Sequence, residues 1–243
     1  MSKLEMIFYF LILTFLIPSM GFAESDKVDI KKLEEQYWSS KDNDFSVVQN
    51  RTYTKAKRPY LSVDYGTLMN DGFSTGRIQS INAGYFFSER WGVEVCQEKG
   101  SLKRNDTTEF FQQQYGTSPD YNQFKDSLGV NVIFVPFYAK MSWMDKTVLY
   151  FDMSVALGIG KLNYDVQLDR GSETHSTNFY NIDFSQHLFF TRNLALRLDL
   201  KNKFSTQKLY KYHIPATQSE STRFIKDDSQ QDTTLLLGLT FFY

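Results

Sequence analysis

The sequence predicts an all-β fold, an eight-stranded antiparallel up-and-down transmembrane β-barrel. Short turns sit at one rim and longer loops at the other, and a short helical or extended N-terminal segment comes first. Three observations predict it: a leader of the exported type, strict alternation of apolar and polar residues, and connections that alternate between short and long.

The chain opens Met-Ser-Lys-Leu-Glu, continues with an apolar run from Met6 to Ile17, and passes through Pro18-Ser19-Met20-Gly21-Phe22-Ala23. A basic residue, a short apolar core and small residues before a polar stretch make a secretory signal, here residues 1–23 with cleavage after Ala23. The run is shorter than the ~20 residues a spanning helix requires, and no later segment approaches that length. A formal net charge of -1 gives no reason to expect nucleic acid as a partner. Mean hydropathy of -0.40 is too polar for a bundle of membrane helices. The 22 Phe and 15 Tyr favour strands. If the mature chain enters a bilayer, it does so as a closed barrel.

Residues 24–59 read as a periplasmic segment. Ile30, Leu33 and Tyr37 have the spacing of one helix stripe, and Arg51, Lys55, Lys57 and Arg58 form a basic approach to the first strand. These cations can fold against the barrel's near mouth and neutralise it. Residues 29–58 are also the place for a periplasmic protein partner.

Residues 60–243 are the barrel, with strands expected at 60–69, 78–88, 92–103, 127–141, 147–160, 177–188, 194–206 and 232–243. Short turns are expected at 88–91, 143–146 and 190–193. Longer polar loops are expected at 70–77, 104–126, 161–176 and 207–231, the asymmetry of membrane barrels. In the fifth strand Leu149, Phe151, Met153, Val155, Leu157 and Ile159 share one face; Asp152, Ser154, Ala156 and Gly158 share the other. The seventh sets Leu194, Leu196, Leu198 and Leu200 against Ala195, Arg197, Asp199 and Lys201. A soluble sandwich gives the same alternation, but a membrane barrel turns the aliphatic face to lipid and encloses the ionic one.

Phe87, Trp91, Tyr138 and Trp143 fall near the short turns and are assigned to an interfacial aromatic girdle, with Phe189 and Tyr243 beside them. Phe179, Tyr164 and Phe204 are candidates for a second girdle. At the C-terminus Leu235, Leu237, Leu239, Phe241 and Tyr243 alternate, with Thr234, Gly238 and Thr240 among the residues between them, and end the chain on an aromatic ring. Leu237, Leu239, Phe241 and Tyr243 resemble the terminal strand that outer-membrane barrels present to the barrel assembly machinery. Pro136 removes a ladder donor, so a bulge is expected there.

The segment Asp44-Phe-Ser-Val-Val-Gln-Asn-Arg51-Thr-Tyr-Thr-Lys55 leads into Tyr60-Leu-Ser-Val-Asp-Tyr-Gly66 and Asn70-Asp71-Gly-Phe73. Further on come Gly84-Tyr-Phe-Phe-Ser-Glu-Arg-Trp91-Gly-Val-Glu94 and Val135-Pro-Phe-Tyr-Ala-Lys140. Together they resemble an outer-membrane β-barrel domain family of Gram-negative envelope proteins, over roughly residues 33–243. Ala139 stands where that pattern has glycine. The resemblance implies location and architecture, and it carries no catalytic residues.

The enclosed set of side chains is Asp64, Glu94, Glu98, Asp152, Asp183 and Asp199 with Arg197, Lys201 and Lys203. An eight-stranded barrel is just wide enough for side chains to fill, and unpaired buried carboxylates cost several kcal/mol each. A charge network that plugs the lumen follows. The function expected is therefore a non-enzymatic outer-membrane barrel, exported through its signal, surrounded by outer-membrane lipid and acting as scaffold, anchor or interaction protein. The alternatives are a lipid- or ester-modifying barrel enzyme using His175 or His187, and a narrow pore. No cofactor or metal-ligand spacing stands out.

Overall fold

In a computed structural model, the residues described are 51–143, 147–169, 171–213 and 222–243, without the side chains of Trp143 and Thr147. The signal segment, the 30–37 stripe and the 24–50 part of the N-terminal segment lie outside them.

Eight antiparallel strands close into one ring, each bonded to its sequence neighbours and the first to the last. They are β1 (Arg58–Leu68), β2 (Ser74–Phe86), β3 (Trp91–Arg104), β4 (Asn122–Trp143), β5 (Thr147–Leu168), β6 (Gly171–Phe189), β7 (Leu194–Tyr210) and β8 (Phe224–Phe242). The seam pairs Val63 with Leu239 and Asp64 with Gly238. Closure leaves no strand edge exposed, which the interior of a bilayer demands. A helix, α1 (Asp106–Tyr115), stands between β3 and β4. Asn105 caps it by accepting from the Thr108 amide, and Gly116 ends it at φ 66°.

Alternation sorts the faces as the two-residue period dictates. Leu61, Val63, Val93, Val95, Val130, Val132, Leu157, Leu237 and Leu239 face outward, each about half exposed. Ser62, Asp64, Asn82, Glu94, Glu98, Asn131, Asp152, Asp183, Arg197 and Lys201 face inward and are buried. An apolar exterior of this extent belongs in hydrocarbon, because a soluble chain rarely leaves so large a patch in water.

Strand ends differ from expectation on the loop side. β5 and β6 stay paired out to Leu168 and Gly171, so the loop expected at 161–176 is ladder. β2 starts at Ser74, which removes half of the loop expected at 70–77. Beyond the apolar band the exterior residues turn polar, but Thr174, Ser176 and Asn178 still pair across the hairpin. Ending a strand where apolar alternation ends therefore cuts it short. The connections at 105–121 and 211–223 remain long, and the first holds the unpredicted α1.

The register of β4 against β5 slips between Phe134 and Phe137, at Pro136, where a donor is missing. The slip corrects the girdle. Counting by twos from Val132 puts Tyr138 outside, but the extra residue turns Phe137 outward, at 64% exposed, and Tyr138 inward against a buried aromatic cluster. Phe189 belongs to that inner cluster, and Phe179 and Tyr164 are buried in a second one, so none of the three is a lipid-facing girdle residue. Phe87, Trp91 and Tyr243 do face outward. The side chain of Trp143 is not among those described.

Candidate functional site

The lumen is a ladder of charges built from inward parity alone. At its middle, Arg197 Nη1 lies 2.6 Å from Glu94 Oε2 and its Nε 2.7 Å from Asp199 Oδ1. Glu94 also accepts from the Tyr60 hydroxyl at 2.7 Å and from Asn131 Nδ2 at 3.2 Å. One step toward the loop side, Lys201 reaches Glu98 at 3.3 Å and Asp199 at 3.8 Å, and donates to Asn82 Oδ1 at 3.0 Å. Lys203 closes that rung on Glu98 at 2.5 Å.

Asp64 and Asp183 meet neutral donors instead. Ser62 donates to Asp64 at 2.7 Å and Asn82 bonds its other oxygen. Asn181 and Asn131 donate to Asp183 Oδ2 at 2.6 and 3.2 Å. Sequence reasoning missed these neutral members, Tyr60, Asn82, Asn131 and Asn181. Their parity, as with Asn131 between outward Val130 and Val132, is the signal that marks them, although they carry no charge.

At the turn side the lumen ends in an aromatic floor of Tyr60, Phe86, Phe189 and Phe242. Residues 51–57 lie across it. Lys55 enters the barrel and pairs with Asp152 Oδ2 at 2.6 Å, its ammonium 4.2 Å from the Phe86 ring centroid. His187 holds the other Asp152 oxygen at 3.0 Å. Tyr53 stacks on Phe189 at 5.6 Å and meets Tyr150 edge-on at 5.0 Å.

The strap is tied down from outside by Glu89, in the β2–β3 turn. Its carboxylate accepts from the amides of Lys55 and Ala56 and from Arg51. Arg58 adds bonds to the carbonyls of Tyr243, Phe242 and Arg192. Of the four cations expected to approach this mouth, Lys55 alone enters the lumen, Arg51 and Arg58 bind the rim, and Lys57 stays exposed at φ 60°.

With Lys55 the lumen gains a fourth cation beside Arg197, Lys201 and Lys203. Buried pairs of this kind rarely add net stability, yet removing one partner strands the other. What the arrangement does chemically is fill the bore, with each charge answered by a partner.

The two histidines considered for catalysis are not brought together. His187 is buried against Asp152. His175 lies on β6 between the rings of Tyr164 and Tyr210, at 5.9 and 5.4 Å, with Glu173 at 3.9 Å. Among the described residues no group of His, Cys, Asp and Glu is arranged to hold a metal ion. The outward residues of the terminal strand, Leu237, Leu239, Phe241 and Tyr243, form an exposed apolar row.

No family model matches the sequence, and no curated protein matches it. Solved structures do. The N-terminal β-barrel domain of Pseudomonas aeruginosa OprF matches at 10% identity and TM-score 0.46, covering 77% of this chain and 98% of that one. Ail, the attachment invasion locus protein of Yersinia pestis, matches at 14% and 0.40, covering 77% and 99%. Neisserial surface protein A matches at 12% and 0.41, covering 75% and 96%. The chain's own geometry decides its type: eight antiparallel strands in a closed ring, aliphatic outside and ionic inside, make it a small β-barrel of the outer-membrane kind.

Proposed function

We propose that this chain is a non-conducting outer-membrane barrel that anchors its N-terminal segment at the periplasmic face and presents its loop side to the exterior. On this reading residues 1–23 are a cleaved export signal and the barrel assembly machinery receives the β8 row. Residues 29–50 offer a periplasmic protein its docking segment, since 51–58 are engaged with the barrel rim. The observation that carries it is Lys55 on Asp152: residues 51–57 lie across the mouth, and Lys55 locks them to the barrel by a buried ion pair. An anchor needs that kind of attachment, whereas an open channel would be blocked by it.

The lumen supports the same reading. Four cations and six carboxylates occupy an eight-stranded bore, and such bores hold side chains rather than a water column. The test is planar-bilayer recording of the purified mature chain. Conductance at background is expected, with no lipid-ester cleavage and no effect of His175→Ala or His187→Ala beyond stability. Steady unitary currents from the unmodified chain would overturn the proposal.

A further inference from the structure

Above Lys203 the lumen opens toward the loop side into a cavity of about 240 Å³. That is slightly below the range of about 300–1,000 Å³ typical of small-molecule pockets. Asp71, Asp120, Asp228 and Asp232 line it, and among the described residues no lysine or arginine does.

Three of the carboxylates are committed. Asp71 takes the amides of Phe73 and Ser74 at 2.8 and 2.9 Å. Asp120 takes the amide of Tyr212 at 2.5 Å. Asp228 binds Lys226 at 2.6 Å and Gln230 at 2.7 Å. Asp232 is different: its Oδ2 is shut off from solvent at the cavity wall without a hydrogen-bond partner. So is Oδ1 of Asn122. The Asn122 orientation is fixed, because its Nδ2 donates to Gln207 Oε1 at 3.1 Å and to the Lys208 carbonyl at 3.0 Å. The hydroxyl of Tyr121, on the same wall, is likewise buried without a partner; Asp232 and Asn122 each leave an acceptor unpaired beside it, an arrangement that a bound donor resolves.

We propose that this vestibule binds a small aliphatic polyamine. A single divalent ion fits poorly, because the carboxylates are spread round the wall and do not converge as metal ligands. Spread carboxylates suit ammonium groups spaced along a chain. The rest of the wall suits the methylenes between them: Phe73 and Tyr121 pack at 5.3 Å between ring centroids. Phe124 already holds one alkylammonium, that of Lys203, 5.3 Å from its ring centroid.

The test is calorimetric titration of the full mature chain, folded in detergent at low ionic strength, with spermidine, magnesium and maltose as separate probes. Spermidine is expected to give a saturable heat that weakens with salt, while maltose gives none. Asp232→Asn and Asn122→Leu should each weaken spermidine about tenfold, the loss of one charge-assisted contact. Both should keep the heat-modifiable gel mobility of a folded barrel; should Asp232→Asn not fold, Asp232→Ser takes its place. The proposal fails if spermidine gives no saturable heat, if magnesium binds as well as spermidine, or if folded Asp232→Asn binds spermidine unchanged. Binding by a conducting barrel would still support the site, so its outcome is separate from that of the anchor.

Discussion

Lys55 Nζ lies 2.6 Å from Asp152 Oδ2, and the two side chains are 1% and 0% exposed. The residues are far apart in sequence and belong to different parts of the molecule, a strap outside the ring and strand β5 within it. Removing Lys55 leaves a buried carboxylate with His187 as its remaining close partner. Lys55→Ala is therefore expected to destabilise the barrel by about 3–5 kcal/mol, read as a lower midpoint in urea unfolding from detergent. Lys55→Met with Asp152→Asn should recover much of that loss, since neither charge is then stranded.

Glu89 fixes the same strap from the solvent side. Its carboxylate accepts two backbone amides and one guanidinium N–H, bonds worth about 1.5–3 kcal/mol each when one partner is charged. Glu89→Ala should free residues 51–57 for limited proteolysis while the eight strands remain protected. A cleavage pattern identical to wild type would show that Lys55 and Tyr53 suffice to hold the strap.

The Pro136 slip exchanges the faces of Phe137 and Tyr138, which fluorescence can read. A tryptophan replacing Phe137 should be quenched by brominated lipid chains, and one replacing Tyr138 should not. Farther into the apolar band, Val132→Arg should cost about 2–4 kcal/mol, the penalty for a cation at the lipid-facing midplane. Normal assembly of Val132→Arg would reverse the assignment of faces.

On the loop side, Asp169 accepts from Arg223 Nη2 at 3.0 Å and lies 2.9 Å from His213. The Arg223 hydrogen bond holds its carboxyl below the ordinary carboxylate value, with His213 adding to the effect. A lowered carboxylate pKa means that this contact contributes fully above about pH 4, the unfolded value. It is lost as pH falls through the folded value. Amide exchange at Asp169, whose N–H bonds the Tyr212 carbonyl, should accelerate on that acid side and not between pH 6 and 8, beyond the intrinsic pH dependence of exchange. Asp169→Asn should abolish the acid-side change.

Which residues face outward and which face the lumen is legible in the sequence along most of the barrel. A two-residue period is a local property, and Leu157 beside Gly158, or Leu198 beside Asp199, declares its face without knowing its neighbours. The strand number is legible too, because turns such as Ser88-Glu89-Arg90 interrupt the period. Pairings across the ring, by contrast, are set by the fold. Tyr138 turned inward because one proline offset its strand by a residue, and nothing local says how a bulge will resolve. Strand ends ran past the apolar band because a hairpin keeps pairing wherever its partner does. Lys55 met Asp152 because residues 51–57 fold back across the mouth, and Asn122 and Asp232 line one cavity because closing the ring brings residues remote in sequence to one height. That height is set by register, a property of eight strands together and of no single one.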